Sequence, residues 1–216
     1  MPLRGLAVLE GIRFASGVAS DPSGVVTLWK AATGGKAAGC IPGTPVPELL
    51  HAAGLLPILL ESPKDLSLVS GQVDAWLVGA DPSPFPVSGG GIPRFAFPGA
   101  PPRSVEEAVD RVEALAEWAG AVSGSPASEG ALWKSIRAHA ARRSLLDALD
   151  ERCTRETAFL TNEERRDILR AGNFLPPEAH SRLLCLILGI DPELACIRPE
   201  GETGDPLLVL ARRLMW

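Results

Sequence analysis

Residues 39–60 constrain the fold more than any other part of this chain. After Gly34 and Gly35 the sequence runs through Lys36 into an uncharged stretch ending at Ile41, suited to a buried strand, and Pro42-Gly43 turns it. A helix is expected next. Thr44 is a good N-cap, and Pro45 fits the first helical position because its missing N–H would go unpaired there anyway. Glu48 sets negative charge at the positive end of the helix dipole. Gly54 stops the helix, and residues 56–60 are apolar enough for a second strand covered on both faces. A helical crossover of this kind makes its two strands parallel neighbours.

The alternation continues downstream. Residues 73–79 and 92–97 read as two further strands, and residues 81–93, with several prolines and Gly89-Gly90-Gly91, read as a loop. Beyond Pro98 the pattern turns helical. Ser104 and Glu107 form a capping box ahead of Ala108, Val112, Leu115 and Ala119 on one face, with Gly120 as the stop. A longer helix is expected over residues 128–152, a short one after the Thr161 and Glu164 capping box up to Gly172, and another over residues 177–188 closed by Gly189. Asp191-Pro192 and Asp205-Pro206 each pair an N-cap with proline at the first helical position.

The fold class that follows is α/β, a small, mostly parallel, Rossmann-like sheet followed by a helical segment. Residues 1–27 lack a sustained period and read as an irregular N-terminal lead-in. Residues 28–103 form the Rossmann-like α/β domain, and residues 104–216 the helical segment packed on it.

Composition removes several function classes. A net charge of −5, with Lys and Arg scattered, argues against nucleic acid and anionic membrane surfaces as partners. No apolar run is long enough to cross a bilayer, and Met1 to Gly5 opens without the pattern of an export signal, so a cytoplasmic location is expected. Cys40, Cys153, Cys185 and Cys196 show no Cys-x-x-Cys spacing and read as reduced core thiols. His51, His139 and His180 lie on predicted helices with no second ligand at i+3 or i+4, so no metal is expected. Gly34-Gly35-Lys36 is followed by Ala37 where a phosphate-binding loop needs Ser or Thr, and Gly89-Gly90-Gly91 lacks dinucleotide-loop spacing.

Trp29-Lys30, Gly35-Lys36, Gly39 and above all residues 48–57, from Glu48 through His51 to Pro57, resemble the opening of the 2-hydroxyacyl-CoA dehydratase and benzoyl-CoA reductase subunits. The resemblance extends over residues 28–190, with residues 73–79 matching the family's next buried strand. It implies an acyl-CoA ligand and, in active subunits, a [4Fe-4S] cluster held by cysteines on either side of that strand and in a later domain. This chain departs there. Residues 61–72 contain no cysteine, Pro82-Ser83 stands where a thiolate is expected, and the family's proline before the glutamate is displaced to Pro45 and Pro47; a chain without the family's later domain is expected. No cofactor is therefore expected in this chain.

Open α/β sheets bind ligands at the carboxyl ends of their strands. At that edge the ligand-binding candidates are Cys40, Thr44, Val46, Glu48, Asp81 and Ser83. One reading is a pocket for an acyl thioester or another anion near the helix start. The other is ordinary capping by Thr44, a turn at Asp81-Pro82 and packing by Cys40. No residue reads as catalytic. The resemblance implies a cluster-lacking companion, scaffold or regulatory subunit. Its alternatives are an enzyme subunit that binds acyl-CoA and shares a site with an iron–sulfur partner chain, and a stand-alone small-molecule binding domain. The implied partner is a second copy or a full-length family member, and the apolar closing residues 207–216 are expected to fold back or to dock on another chain.

Overall fold

A computed structural model describes residues 5–41, 46–79, 91–191 and 204–215. Four strands, β1 (Lys36–Cys40), β2 (Leu55–Leu59), β3 (Ala75–Gly79) and β4 (Arg94–Phe97), form one sheet in the order β2-β1-β3-β4. Every pairing is parallel, with Lys36 opposite Leu55, Gly39 opposite Trp76, and Leu77 opposite Phe95. The helix α3 (Pro47–Ala52) joins β1 to β2, and α4 (Pro63–Val69) with a short 3₁₀ turn carries the chain back to β3. The fold is thus the expected α/β class: a small parallel Rossmann-like sheet with helices following it.

Alternation along the strands divides the interior into two cores. Ala37, Leu56, Ile58 and Trp76 point to one face, and Ala38, Cys40, Leu55, Ala75 and Leu77 to the other. Side chains in a strand alternate by necessity, so nearly continuous apolar runs supply both cores at once. Helices α1 (Leu6–Ser20), α2 (Pro22–Thr33), α4, α7 (Asn162–Ala171) and α8 (Pro177–Leu188) cover the first face. Helices α3, α5 (Val105–Ser123) and α9 (Pro206–Arg213) cover the second. The 27-residue α6 (Glu129–Arg155) serves both, burying Leu132 and Ile136 in one core and Leu145 and Leu149 in the other. Its length of about 40 Å makes that span possible.

Local signals account for most helix ends. Asp21, Ser62, Ser104, Ser128, Thr161 and Asp205 each accept a hydrogen bond from a first-turn backbone N–H. Such a cap contributes about 1 kcal/mol. At α4 and α7 the bond is reciprocal, Asp65 and Glu164 reaching back to the cap backbone. At α5 the carboxylate of Glu107 instead accepts from Arg103 N at 2.8 Å, one residue earlier than a capping box requires.

The structure corrects three expectations. Most of residues 1–27 is helical rather than irregular: α1 and α2 occupy it, and a boundary at residue 28 falls inside α2. Small residues hid the period. Gly11, Ile12, Ala15, Val18 and Ala19 form the buried stripe of α1, and a Cβ on Gly11 would sit 2.8 Å from Ile187 Cγ1, so the close approach to α8 requires a residue without a side chain. Second, Gly120 does not end α5, which continues to Ser123 and stops at Gly124 with φ 86°. Third, α3 begins at Pro47, with Val46 rather than Thr44 at the N-cap position. A residue preceding proline is disfavoured in the right-handed helical region, which favours a helix start at Pro47 over one that includes Val46.

The closing segment folds back. Leu210 and Ala211 of α9 are fully buried in the second core. Leu6, Phe14 and Leu28 on α1 and α2 remain exposed by 72%, 54% and 71%. Among the described residues no helix is long and apolar enough to cross a membrane.

Candidate functional site

The strand order reverses between β1 and β3, the point at which open α/β sheets generally bind ligands, and the segments that follow the strand ends Cys40 and Gly79, residues 42–45 and 80–90, lie outside the described residues. Of the six sequence candidates, Thr44, Asp81 and Ser83 lie outside the described residues. Cys40, Val46 and Glu48 do not line an open pocket: they are 2%, 5% and 4% exposed. Val46 adopts φ 60°, ψ 56°, a left-handed conformation that a β-branched residue takes at a cost of roughly 1–2 kcal/mol.

Cys40 closes β1 with its Sγ 3.6 Å from Ala38 O. Burial pushes its thiol up to about 12, outweighing a backbone hydrogen bond from Ile58 that favours the thiolate. It is the inert kind of cysteine, enclosed and protonated. The described thiols do not fit an iron–sulfur cluster, because Cys40 belongs to the core on one face of the sheet and Cys185 and Cys153 to that on the other. Cys196 lies outside the described residues. We expect mass-spectrometric mapping after brief maleimide treatment of the native protein to find Cys40 unmodified, with labelling appearing on denaturation. Rapid native labelling of Cys40 would contradict its placement.

Glu48 is the centre of what the fold does assemble. It lies in the first turn of α3, and its Oε1 is 3.0 Å from Arg213 Nη1 on α9 and 3.9 Å from Arg143 Nη2 on α6. Arg142, next along α6, donates to Gly172 O at 3.3 Å. Its own ionisation is lowered first by burial, against the opposing attraction of Glu48. A buried carboxylate needs such company, since an unpaired one would be expelled or neutralised.

One turn along α3 is a second polar group. Ser135 Oγ donates to Glu48 O at 2.6 Å, and His51 Nδ1 lies 2.9 Å from the same Oγ. His51 Nε2 is 3.3 Å from Glu178 Oε2 on α8. Burial raises the Glu178 carboxyl, but the hydrogen bond and charge of His51 outweigh it and bring the group to about 2. The His139 ring meets that of His51 edge-on, with centroids 5.6 Å apart. His139 Nδ1 is 3.0 Å from Ser135 O, so it carries the proton. Its Nε2 is buried without a hydrogen-bond partner. Burial lowers His139 to about 4 and it is neutral at physiological pH.

The distances from Ser135 through His51 to Glu178 match those of a nucleophile, base and acid, but the chemistry does not. Ser135 is 1% exposed and commits its proton to a carbonyl, so His51 cannot take that proton and no substrate can reach the oxygen. The cluster binds α3 to α6 and α8. Among the described residues no group of three or more His, Cys, Asp and Glu is placed to hold a metal.

Sequence reasoning treated each histidine alone and missed this assembly. The available signals were the i, i+4 spacing of Ser135 and His139 and the absence of any acid on α6 between Glu129 and Asp147. A separate cavity of about 390 Å³ opens between the starts of α6 and α9, lined by Ala127, Glu129, Leu132 and Gly204 to Leu207. Its Asp205 carboxylate already accepts from Leu207 N at 2.9 Å. In comparison with known proteins, no family model matches this chain and no curated protein matches it.

Proposed function

We propose that this chain is a companion subunit resembling the 2-hydroxyacyl-CoA dehydratases and benzoyl-CoA reductases, a scaffold or regulatory partner without an iron–sulfur cluster of its own. The observation that carries the reading is the fate of the family-like helix. Its two ionisable side chains are both committed internally, Glu48 to Arg213 and Arg143, and His51 to Ser135 and Glu178. The neighbouring Cys40 thiol is buried and held protonated. The unit retains its packing and offers no thiolate. The exposed Leu6, Phe14 and Leu28 support a partner-bound state, because they keep large apolar side chains in water on the free chain.

A second reading keeps acyl-CoA as a ligand at the crevice beyond β1 and β3, in a site completed by an iron–sulfur partner chain. The reversal of strand order at that point favours it.

The test mixes the purified chain with a full-length, cluster-containing member of the family and follows size-exclusion chromatography with light scattering and iron analysis. A stoichiometric complex is expected, with iron only in the larger subunit. Anaerobic reconstitution of this chain alone to stoichiometric iron and sulfide, abolished by Cys40→Ser, would overturn the reading.

A further inference from the structure

The outer face of α1 keeps large apolar side chains in water. Its buried stripe packs inward, and on the opposite side Leu6, Leu9 and Phe14 are 72%, 38% and 54% exposed. Along the middle of that outer face run Leu6, Glu10, Arg13 and Gly17, all exposed, at intervals of four, three and four residues. Such spacing draws a straight seam along a helix, the pattern by which two helices pack side by side. Leu9 stands on one flank of the seam and Phe14 on the other.

The seam is complementary to itself read backwards. When a second α1 is turned end for end about a twofold axis at the level of residues 11 and 12, Leu6 of one copy falls opposite Gly17 of the other, and Glu10 opposite Arg13. Each pairing occurs twice, as an isologous contact requires. Gly17 supplies the hollow: a Cβ added there would meet nothing within 4 Å on its own chain, so the leucine of the other copy enters unfilled space. Among the described residues neither Glu10 nor Arg13 has an ion-pair partner on its own chain, so each charge is available to its opposite. A parallel arrangement fails the same comparison, because it sets Glu10 against Glu10 and Arg13 against Arg13.

We propose that the chain forms a symmetric homodimer in which the outer faces of two α1 helices pack antiparallel, with Leu6 seated over Gly17 at each end and Glu10 paired with Arg13 twice at the centre. The two Leu9 side chains close one flank and the two Phe14 side chains the other. A helix of 15 residues is about 22 Å long, so the contact belongs to the smaller class of interfaces and the dimer dissociates on dilution. The pairing holds whether or not the chain also serves as a companion subunit.

Sedimentation equilibrium of the full chain across the micromolar range tests it. The wild type should dimerise. Glu10→Arg alone and Arg13→Glu alone each set like charges opposite one another twice, and each should weaken the dimer about tenfold or more. Mixed in equal amounts, the two variants present opposite charges at both contacts, and a heterodimer of wild-type affinity should form. That rescue separates a lost contact from a lost fold. Gly17→Gln fills the hollow without meeting its own chain, so it should keep the circular dichroism of the wild type and abolish the dimer. A dimer indifferent to both charge reversals, or single variants that stay monomeric on mixing, would overturn the proposal. So would a monomeric wild type that binds a full-length family member and loses it in Arg13→Glu, a result that leaves the companion reading standing. Dimerisation with the expected rescue but no complex with that member removes the companion reading alone.

Discussion

Between pH 6.5 and pH 4 the protein should lose several kcal/mol of stability, and two buried histidines should account for most of it. Burial is the largest influence on both His139 and His180, and it lowers each to about 4. His180 Nε2 lies 3.0 Å from Ile168 O, so that nitrogen carries the proton of a neutral ring, as Nδ1 does in His139. The sign follows from linkage. Above pH 6.5 both states are unprotonated and the histidines contribute no pH dependence. Below it the unfolded chain takes up protons that the folded chain refuses until about pH 4, so stability falls as pH falls across that window. A shift of this size corresponds to about 3 kcal/mol per histidine, against a total stability of roughly 5–15 kcal/mol for a domain. Glu178, depressed to about 2, adds a further loss below the ordinary carboxyl range, since its stabilisation is present above that range and disappears as it protonates.

Urea unfolding from pH 7 to pH 4 measures this directly. His139→Asn retains a donor in place of Nδ1, and His180→Gln one in place of Nε2, so the double variant should flatten the slope while keeping the carbonyl bonds. An unchanged slope would show that the two rings are not the source.

Gly39→Ala should be the most damaging single-methyl addition in the sheet. Gly39 on β1 pairs with Trp76 on β3, and a Cβ there would overlap the six-membered ring of that tryptophan. Trp76 is 2% exposed and belongs to the first core, so it has no free space to move into. Overpacking of this kind costs about 3 kcal/mol when neither backbone nor ring can yield. Trp76→Leu alone should cost a similar amount by leaving a cavity, roughly 3 kcal/mol. Combined, the two should cost less than their sum by about 1–2 kcal/mol, because the leucine vacates the volume the new methyl needs. Denaturant midpoints for the wild type, both single variants and the double variant give the coupling. Strict additivity would mean that the tryptophan ring does not lie over Gly39.

These effects separate the two levels at which the chain is specified. Whatever depends on a few neighbouring residues was legible in the sequence. The apolar runs of β1 and β2 flanking a short helix dictated a parallel βαβ unit, and Ser104, Thr161, Asp205-Pro206 and Gly189 marked helix ends where they occur. These signals are local because a cap satisfies a backbone group within the same turn, and alternation needs only the pleat. The exceptions were local too: glycine and alanine in α1 masked its period, and Pro47 rather than Pro45 opened α3.

Tertiary structure decided the rest. Glu48 and Arg213 are 165 positions apart, and Ser135 lies 87 from Glu48, yet these pairs form the polar junction. No spacing rule connects them, since their meeting depends on where α6 and α9 cross α3 once the two cores have packed. Glu48 reads in sequence as an acid at a helix start and a ligand-binding candidate, and the fold turns it into a buried carboxylate paired with Arg213 and Arg143. The sequence by itself determined the parallel character of the sheet and the helices α5 to α8 that follow it, because hydrophobic burial selects among few arrangements of such elements, whereas the strand order and the helices α1, α2 and α4 emerged only in the fold. Which ionisable groups were enclosed, and that His139 and His180 among them lost their ordinary proton affinity, only three-dimensional packing could settle, because desolvation depends on the side chains that close around a group from distant parts of the chain.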